Sequence, residues 1–239
     1  MQALATLIST TRPAPGPSWR SGGNDGDIRA LRPVKLADLD TRHHPLVAVA
    51  VEAARTWAQR YRDGETRAPS LVLSGPNGTG KTHIARAIWW SVTQVAQDAD
   101  GATIAGSTRP VARFFQAAEL IAALSPDDDN GGQLPGVGSI VGPSPFLIID
   151  DVGAESNLAY VRGDRQDFER QVRYFRVVDW AYANDVPVIM TTNLRLDELP
   201  GHIGPRAWDR LNEMAPFGQM VSLRGVPSWR VKVGGRNAD

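Results

Sequence analysis

Apolar positions recur along this chain with two different periods. From Pro45 to Arg62 the residues Leu46, Val49, Ala50, Ala53, Trp57 and Tyr61 return every three or four positions, which predicts an amphipathic helix. Pro45 suits its first turn. "SLVLSG" follows as a short apolar run ending in glycine and reads as a buried strand. A second helix carries Ile84, Ile88 and Val92 on one face. "VARFF" (Val111–Phe115) reads as a strand and "QAAELIAAL" (Gln116–Leu124) as a helix. Turn residues dominate Ser125–Pro145, so a loop is expected there. "FLIID" is another buried strand. Phe168, Val172, Phe175, Val178 and Tyr182 mark the inner face of a further helix. "PVIMTT" (Pro187–Thr192) is a fourth strand, "RAWDRLNEM" a short helix and "QMVSL" (Gln219–Leu223) a fifth strand. Continuously apolar strands alternating with helices predict a parallel sheet covered on both faces.

Before this pattern starts, Met1–Asp27 is crowded with Pro, Gly and Ser and has no apolar period, which predicts a flexible tail. The expected organisation is a tail over 1–35, one domain over 36–232 and a short tail over 233–239. Basic and acidic residues balance at 26 each, which argues against a surface that is basic throughout, as a general nucleic-acid binder would have. There is no cysteine, which removes disulfides and thiolate metal sites. No run approaches the roughly 18 apolar residues of a membrane span. A cytoplasmic protein is expected.

Four stretches carry chemistry. Gly75-Pro76-Asn77-Gly78-Thr79-Gly80-Lys81-Thr82 matches GxxxxGK[ST] in full. Its glycines allow successive N–H groups to turn inward as an anion nest at a helix N-terminus. Lys81 can reach β- and γ-phosphates, and Thr82 can offer a hydroxyl to Mg²⁺. A strand runs in and a helix runs out, as that motif requires. In "FLIIDDVGAE" two acids emerge at the carboxyl end of a buried strand, where α/β folds bind ligands. Asp150 is positioned to hold Mg²⁺, and Asp151 to orient or deprotonate water. "PVIMTTNL" ends in Asn193, which either bonds a γ-phosphate or the water, or simply begins a turn. In "RAWDRLNEM", Arg206 and Arg210 share a helix face. They either bridge Asp209 or Glu213 at the surface, or complete a neighbouring subunit's site as an arginine finger.

Taken together, "GPNGTGKTHIA", "LIIDDVGAE", "IMTTNL", "R…DRL" and the closing "GVPSWR" resemble the DnaC/IstB group of AAA+ ATPases, the helicase loaders and transposition helpers, over roughly Leu36–Arg230. The resemblance implies a P-loop fold of AAA+ type with a five-stranded parallel sheet flanked by helices. It also implies that the sensor strand lies between the phosphate-loop strand and the acidic strand. ATP and Mg²⁺ are the implied cofactors. Gly75 to Thr82 then bind phosphate, Thr82 and Asp150 serve the metal, and Asp151 and Asn193 serve catalysis. Arg210, holding the second Arg of the box, is the better finger and Arg206 the second choice. The implied partners are a DnaB-type replicative helicase or a transposase, single-stranded DNA, and further copies of the chain sharing active sites. Few residues follow Arg230, so no C-terminal helical lid is expected. The second acid is Asp, where many relatives place Glu, which leaves a nucleotide-gated binding module with little hydrolysis as an alternative. The stretch with Tyr160, Arg162, Arg165, Arg170, Arg173 and Arg176 reads either as a DNA contact or as a salt-bridged helix. His43 and His44 lack partners at metal-ligand spacing.

Overall fold

The computed structural model describes residues 34–64, 69–93, 112–125, 135–142, 144–157, 164–216 and 219–229. Residues 1–33 and 233–239 of the expected tails, residues 126–134 and 143 of the expected loop, and Tyr160, Arg162 and Arg230 lie outside these. Strands β1 (Leu71–Ser74), β2 (Arg113–Gln116), β3 (Leu147–Val152), β4 (Val188–Thr192) and β5 (Met220–Ser222) form one sheet in the order β2-β3-β4-β1-β5. Every pairing is parallel, as their unbroken apolar composition anticipates.

Alternate residues serve opposite faces. Leu71 and Leu73 of β1, Ile148 of β3 and Ile189 of β4 enter one core, with helices α1 (Pro45–Arg62) and α2 (Lys81–Thr93). Val72, Leu147, Ile149, Val188 and Met190 point the other way. They meet α3 (Ala117–Ala123), α4 (Val137–Val141), α5 (Asp164–Ala183), α6 (Leu199–Ile203) and α7 (Pro205–Met214). The strand alternation that a one-sided sheet would display is therefore masked.

Two expectations need correction. The stretch Ser125–Pro145 is not all loop: Val137–Val141 is helical. Val137 and Val141 fall on one face and are buried, and Gly142 ends the turn with φ at 65°. A short helix among glycines pays for itself only through that tertiary burial, which no local rule registers. The inner face of α5 is also displaced from the expected one. Tyr174, Val177, Val178 and Ala181 are buried, whereas Phe168 is 66% exposed and Tyr182 39% exposed. The expected phase rested on the large side chains, whereas the small Ala181 is fully buried. Elsewhere the elements agree with expectation to within a few residues. Helix α6 was not anticipated.

The order of strands places the carboxyl ends of β1, β4 and β3 side by side. Thus the loop leaving β1, Asn193 after β4, and the acids of β3 arrive at one edge of the sheet. On the opposite flank, β5 pairs with β1 and delivers the segment Leu223–Trp229 back over that edge.

Candidate functional site

Helix α2 begins at Lys81, directly after the glycine loop, so its N-terminal N–H groups face the same space as the loop. Gly75, Gly78 and Gly80 have φ of 155°, 80° and 97°. At Gly78 a β-carbon would lie 2.1 Å from Ser228 Oγ, so this position admits only glycine without rearrangement. The loop lines a cleft of about 690 Å³ together with Asp150, Asp151, Asn193, Gln116, His83, Arg86, His43 and Trp229.

Lys81 is buried. Its ammonium donates to Gly75 O at 2.7 Å, Pro76 O at 2.9 Å and Asn193 Oδ1 at 2.9 Å. Three acceptors match its three N–H groups. The amide of Asn193 donates in turn to Asp151 Oδ1, so one side chain joins the lysine to the second acid. Asp150 is gripped from three elements. Thr82 Oγ1 donates to Oδ1 at 3.0 Å, Thr191 Oγ1 to Oδ1 at 2.6 Å, and Gln116 Nε2 to Oδ2 at 3.1 Å. Thr191 Oγ1 also accepts the Asp151 N–H at 2.9 Å.

Asp151 has φ of 61°, a left-handed conformation that few non-glycine residues adopt. It lies at the irregular end of β3, where the register with β4 shifts between Ile149 and Val152. Burial and the neighbouring Asp150 charge push its carboxyl above the ordinary range. Lys81 and the Asn193 hydrogen bond oppose that rise without cancelling it. A carboxylate with raised proton affinity, lining the same cleft as the glycine loop, is suited to accept a proton from water. His83, also in the cleft, is pushed down by burial and by Arg86.

The donor set also suits a hard cation. Thr82 and Asp150 place a hydroxyl and a carboxylate oxygen side by side. Among the described residues no three His, Cys, Asp or Glu gather into a metal cage. A cation held here would complete its shell with phosphate oxygens and water, as Mg²⁺ does.

Two residues of the cleft escaped the sequence reading, Gln116 and His43. Gln116 ends β2 and reaches Asp150 only because β2 pairs with β3 in register, Gln116 opposite Asp150. A polar residue closing an apolar strand was the available signal. His43 meets Trp229 edge-on, with ring centroids 4.0 Å apart, and Trp229 N–H donates to Gly78 O at 2.9 Å. Trp229 of the closing "GVPSWR" element is thus bonded through its backbone to the apex of the glycine loop. His44 caps α1, its Nδ1 accepting from Leu46 N–H.

Neither Arg206 nor Arg210 lines the cleft. Arg206 is exposed. Arg210 lies 4.4 Å above the Tyr182 ring and pairs loosely with Asp179 at 3.5 Å and Glu213 at 3.9 Å. Of the arginine-rich stretch, Arg170 pairs with Asp167, Arg173 with Glu169, and Arg176 donates to Pro135 O. Arg170 and Arg173 are thus ion-paired within their own helix, and Arg176 is bonded to a backbone carbonyl.

A family model of AAA, the ATPase family associated with various cellular activities, matches residues 71–218. This chain belongs to the AAA family. No curated protein matches it in sequence. Solved structures share the AAA fold seen here. DnaI superimposes with a TM-score of 0.55 and 20% identity, covering 82% of this chain and 89% of DnaI. The DnaC helicase loader gives 0.52 and 20%, covering 82% and 94%. AMPPCP-bound DnaA from Aquifex aeolicus gives 0.54 and 16%, covering 83% of this chain and 52% of that one. The sheet of this AAA domain has β4, which carries Asn193, between β1 and β3, as the resemblance to the DnaC/IstB group implied. Among the described residues no helix is long and apolar enough to cross a membrane.

Proposed function

We propose that this AAA protein binds ATP with Mg²⁺ in the cleft, hydrolyses it, and acts on DNA as a DnaC-like loader of a replicative helicase of phage or mobile-element type. The carrying observation is the continuous hydrogen-bonded chain Lys81–Asn193–Asp151 beside the Thr82–Asp150 pair. Phosphate-binding, metal-binding and water-orienting groups are held in one cleft at fixed spacing, which is the preorganisation that phosphoryl transfer needs. A γ-phosphate drawing on Lys81 exchanges for one of its acceptors. Asn193, an acceptor outside the glycine loop, is then free to face phosphate or water while still holding Asp151.

Among the described residues the lysine and arginine lining the cleft are Lys81 and Arg86, and the arginines of α7 lie elsewhere in the same chain. This arrangement supports a site completed by Arg210, or second by Arg206, from an adjoining copy. Homo-oligomerisation is therefore part of the reading. The similarity to the DnaC loader supports a helicase as the partner class, with single-stranded DNA beneath it.

The test pairs an ATPase assay with a pull-down against the cognate DnaB-type helicase. Wild type should turn over ATP and retain the helicase. Lys81→Ala should lose nucleotide affinity. Arg210→Ala should keep affinity and lose turnover by about a thousandfold. Capture of a transposase instead would place the protein with the IstB-like helpers. Tight nucleotide binding without turnover would make it a nucleotide-gated module. Full turnover in Arg210→Ala refutes the shared-site assignment.

A further inference from the structure

Glu155 is a buried carboxylate with no place in the cleft. It lies in the 3-10 turn Ala154–Asn157 that follows β3, and its side chain is 8% exposed. An acid is costly to bury unless fully partnered. Here it is fully partnered, from three elements. Oε2 accepts the Gly153 N–H at 2.8 Å, and Oε1 accepts the Tyr174 hydroxyl of α5 and meets His202 Nε2 of α6. Burial raises the Glu155 carboxyl, but the bonds from His202 and Tyr174 outweigh burial and hold it below its ordinary value. Burial and the adjacent Glu155 keep Tyr174 protonated, its pKa well above the ordinary one. The hub is therefore a charged acceptor ringed by donors.

Its two ends are mechanically placed. At one end it fixes Gly153, whose φ is 103°, two positions after the left-handed Asp151. A β-carbon on Gly153 would lie 2.9 Å from Leu194, so this turn also packs hard against the strand end that carries Asn193. At the other end His202 precedes Gly204, the residue with φ of 90° from which α7 starts. That corner is pinned to α5 twice, Arg170 Nε donating to His202 O at 3.2 Å and Gln171 Nε2 to Gly201 O at 2.8 Å. Arg206 stands on the first turn of α7 and Arg210 on the next.

Resting on the reading above, we propose that Glu155 is a positioning residue that sets helix α7, with the arginines it offers to a neighbouring copy, in register with the Asp151 turn of its own site. A subunit with a disordered acidic turn then presents its arginine poorly, which links the two halves of adjoining sites. An ordinary structural role would need only cohesion, which apolar side chains supply as well.

The experiment uses the full chain in its assembled state, confirmed by light scattering for every sample. Glu155→Gln keeps the side-chain shape but faces an amide NH₂ toward one of the three donors. It should bind a non-hydrolysable ATP analogue as wild type does, and lose about tenfold to a hundredfold in turnover. Tyr174→Phe, which keeps the ring, should fall the same way by less. The deciding arm mixes wild type with an equal amount of Lys81→Ala or of Lys81→Ala/Glu155→Gln. Neither dopant has a working site, so only the arginine each offers differs. The double variant should depress wild-type turnover about threefold further than the single. Equal depression overturns the inference and leaves the ATPase reading standing. A wild type with no turnover removes that reading and this inference together.

Discussion

Thr191→Val deletes one hydroxyl from the centre of the site without changing side-chain shape. Thr191 is fully buried in β4. Its Oγ1 donates to Asp150 Oδ1 at 2.6 Å and accepts the Asp151 N–H at 2.9 Å. The valine therefore removes a hydrogen bond to a charged group, about 1.5–3 kcal/mol, and strands a backbone donor, about 1–3 kcal/mol. Asp150 keeps Thr82 and Gln116, which recovers part of this. A net loss of about 3 kcal/mol is expected, equal to a fall in Tm of roughly 6–12 °C for a domain of this size. Thr192→Val is the matched control. Its Oγ1 donates to Val152 O at 2.7 Å and accepts from Leu194 N–H at 3.0 Å, both neutral partners. It should cost about 2 kcal/mol. Urea unfolding in metal-free buffer measures both, with the m-value unchanged in each. A loss under about 0.5 kcal/mol for Thr191→Val, or a larger loss for Thr192→Val, would refute the charge-assisted account.

Asp151→Asn should stabilise the protein at neutral pH while reducing turnover by about a hundredfold or more. The folded carboxyl titrates above its ordinary 3.8, so the folded state binds the proton more tightly than the unfolded chain does. Wild type thus loses stability as pH rises through the raised value, and the Asn variant does not. Thermal melts should show the variant's advantage at pH 7.5 and its shrinkage on acidification; a less stable variant at neutral pH contradicts this. Gly78→Ala meets both the left-handed backbone and Ser228. The backbone alone costs about 1–2 kcal/mol. Calorimetry should find ATP-analogue affinity reduced and partly restored by Ser228→Gly, and wild-type affinity in the single variant would dismiss the contact. Glu155, held below its ordinary 4.5, contributes stability above that pH that fades as acid protonates it. Glu155→Gln should accordingly flatten the acid limb of the stability profile, and an unchanged limb in the variant argues against the hub.

How far each feature could be read from sequence followed from its range of interaction. The glycine loop was legible because its work is done by backbone conformation and by residues adjacent in the chain. Asp150 and Asp151 were legible because a buried apolar strand must end somewhere, and its polar terminus marks the ligand-binding edge. Helix α4 was not, since Val137 and Val141 are buried in a core shared with α5, a distant partner that no local pattern registers. The buried face of α5 was misphased because Ala181 carries little hydrophobic weight in a pattern, yet it is fully buried, while the larger Phe168 and Tyr182 are exposed.

By itself the sequence determined the parallel α/β class, the glycine loop set between a strand and a helix, and the two acids that close a buried strand. These depend on periodicity and on contiguous residues, and both survive without coordinates. Only the tertiary structure decided that Gln116, Thr191 and Thr82 converge on Asp150, that Asn193 bridges Lys81 to Asp151, and that Trp229 rests on Gly78. The physical reason is strand order. Residues scattered between positions 78 and 229 meet because β4 is inserted between β1 and β3 and β5 flanks β1. The resemblance anticipated the place of β4, but which side chains then touch follows from the register of the paired strands, which no local stretch of the chain records.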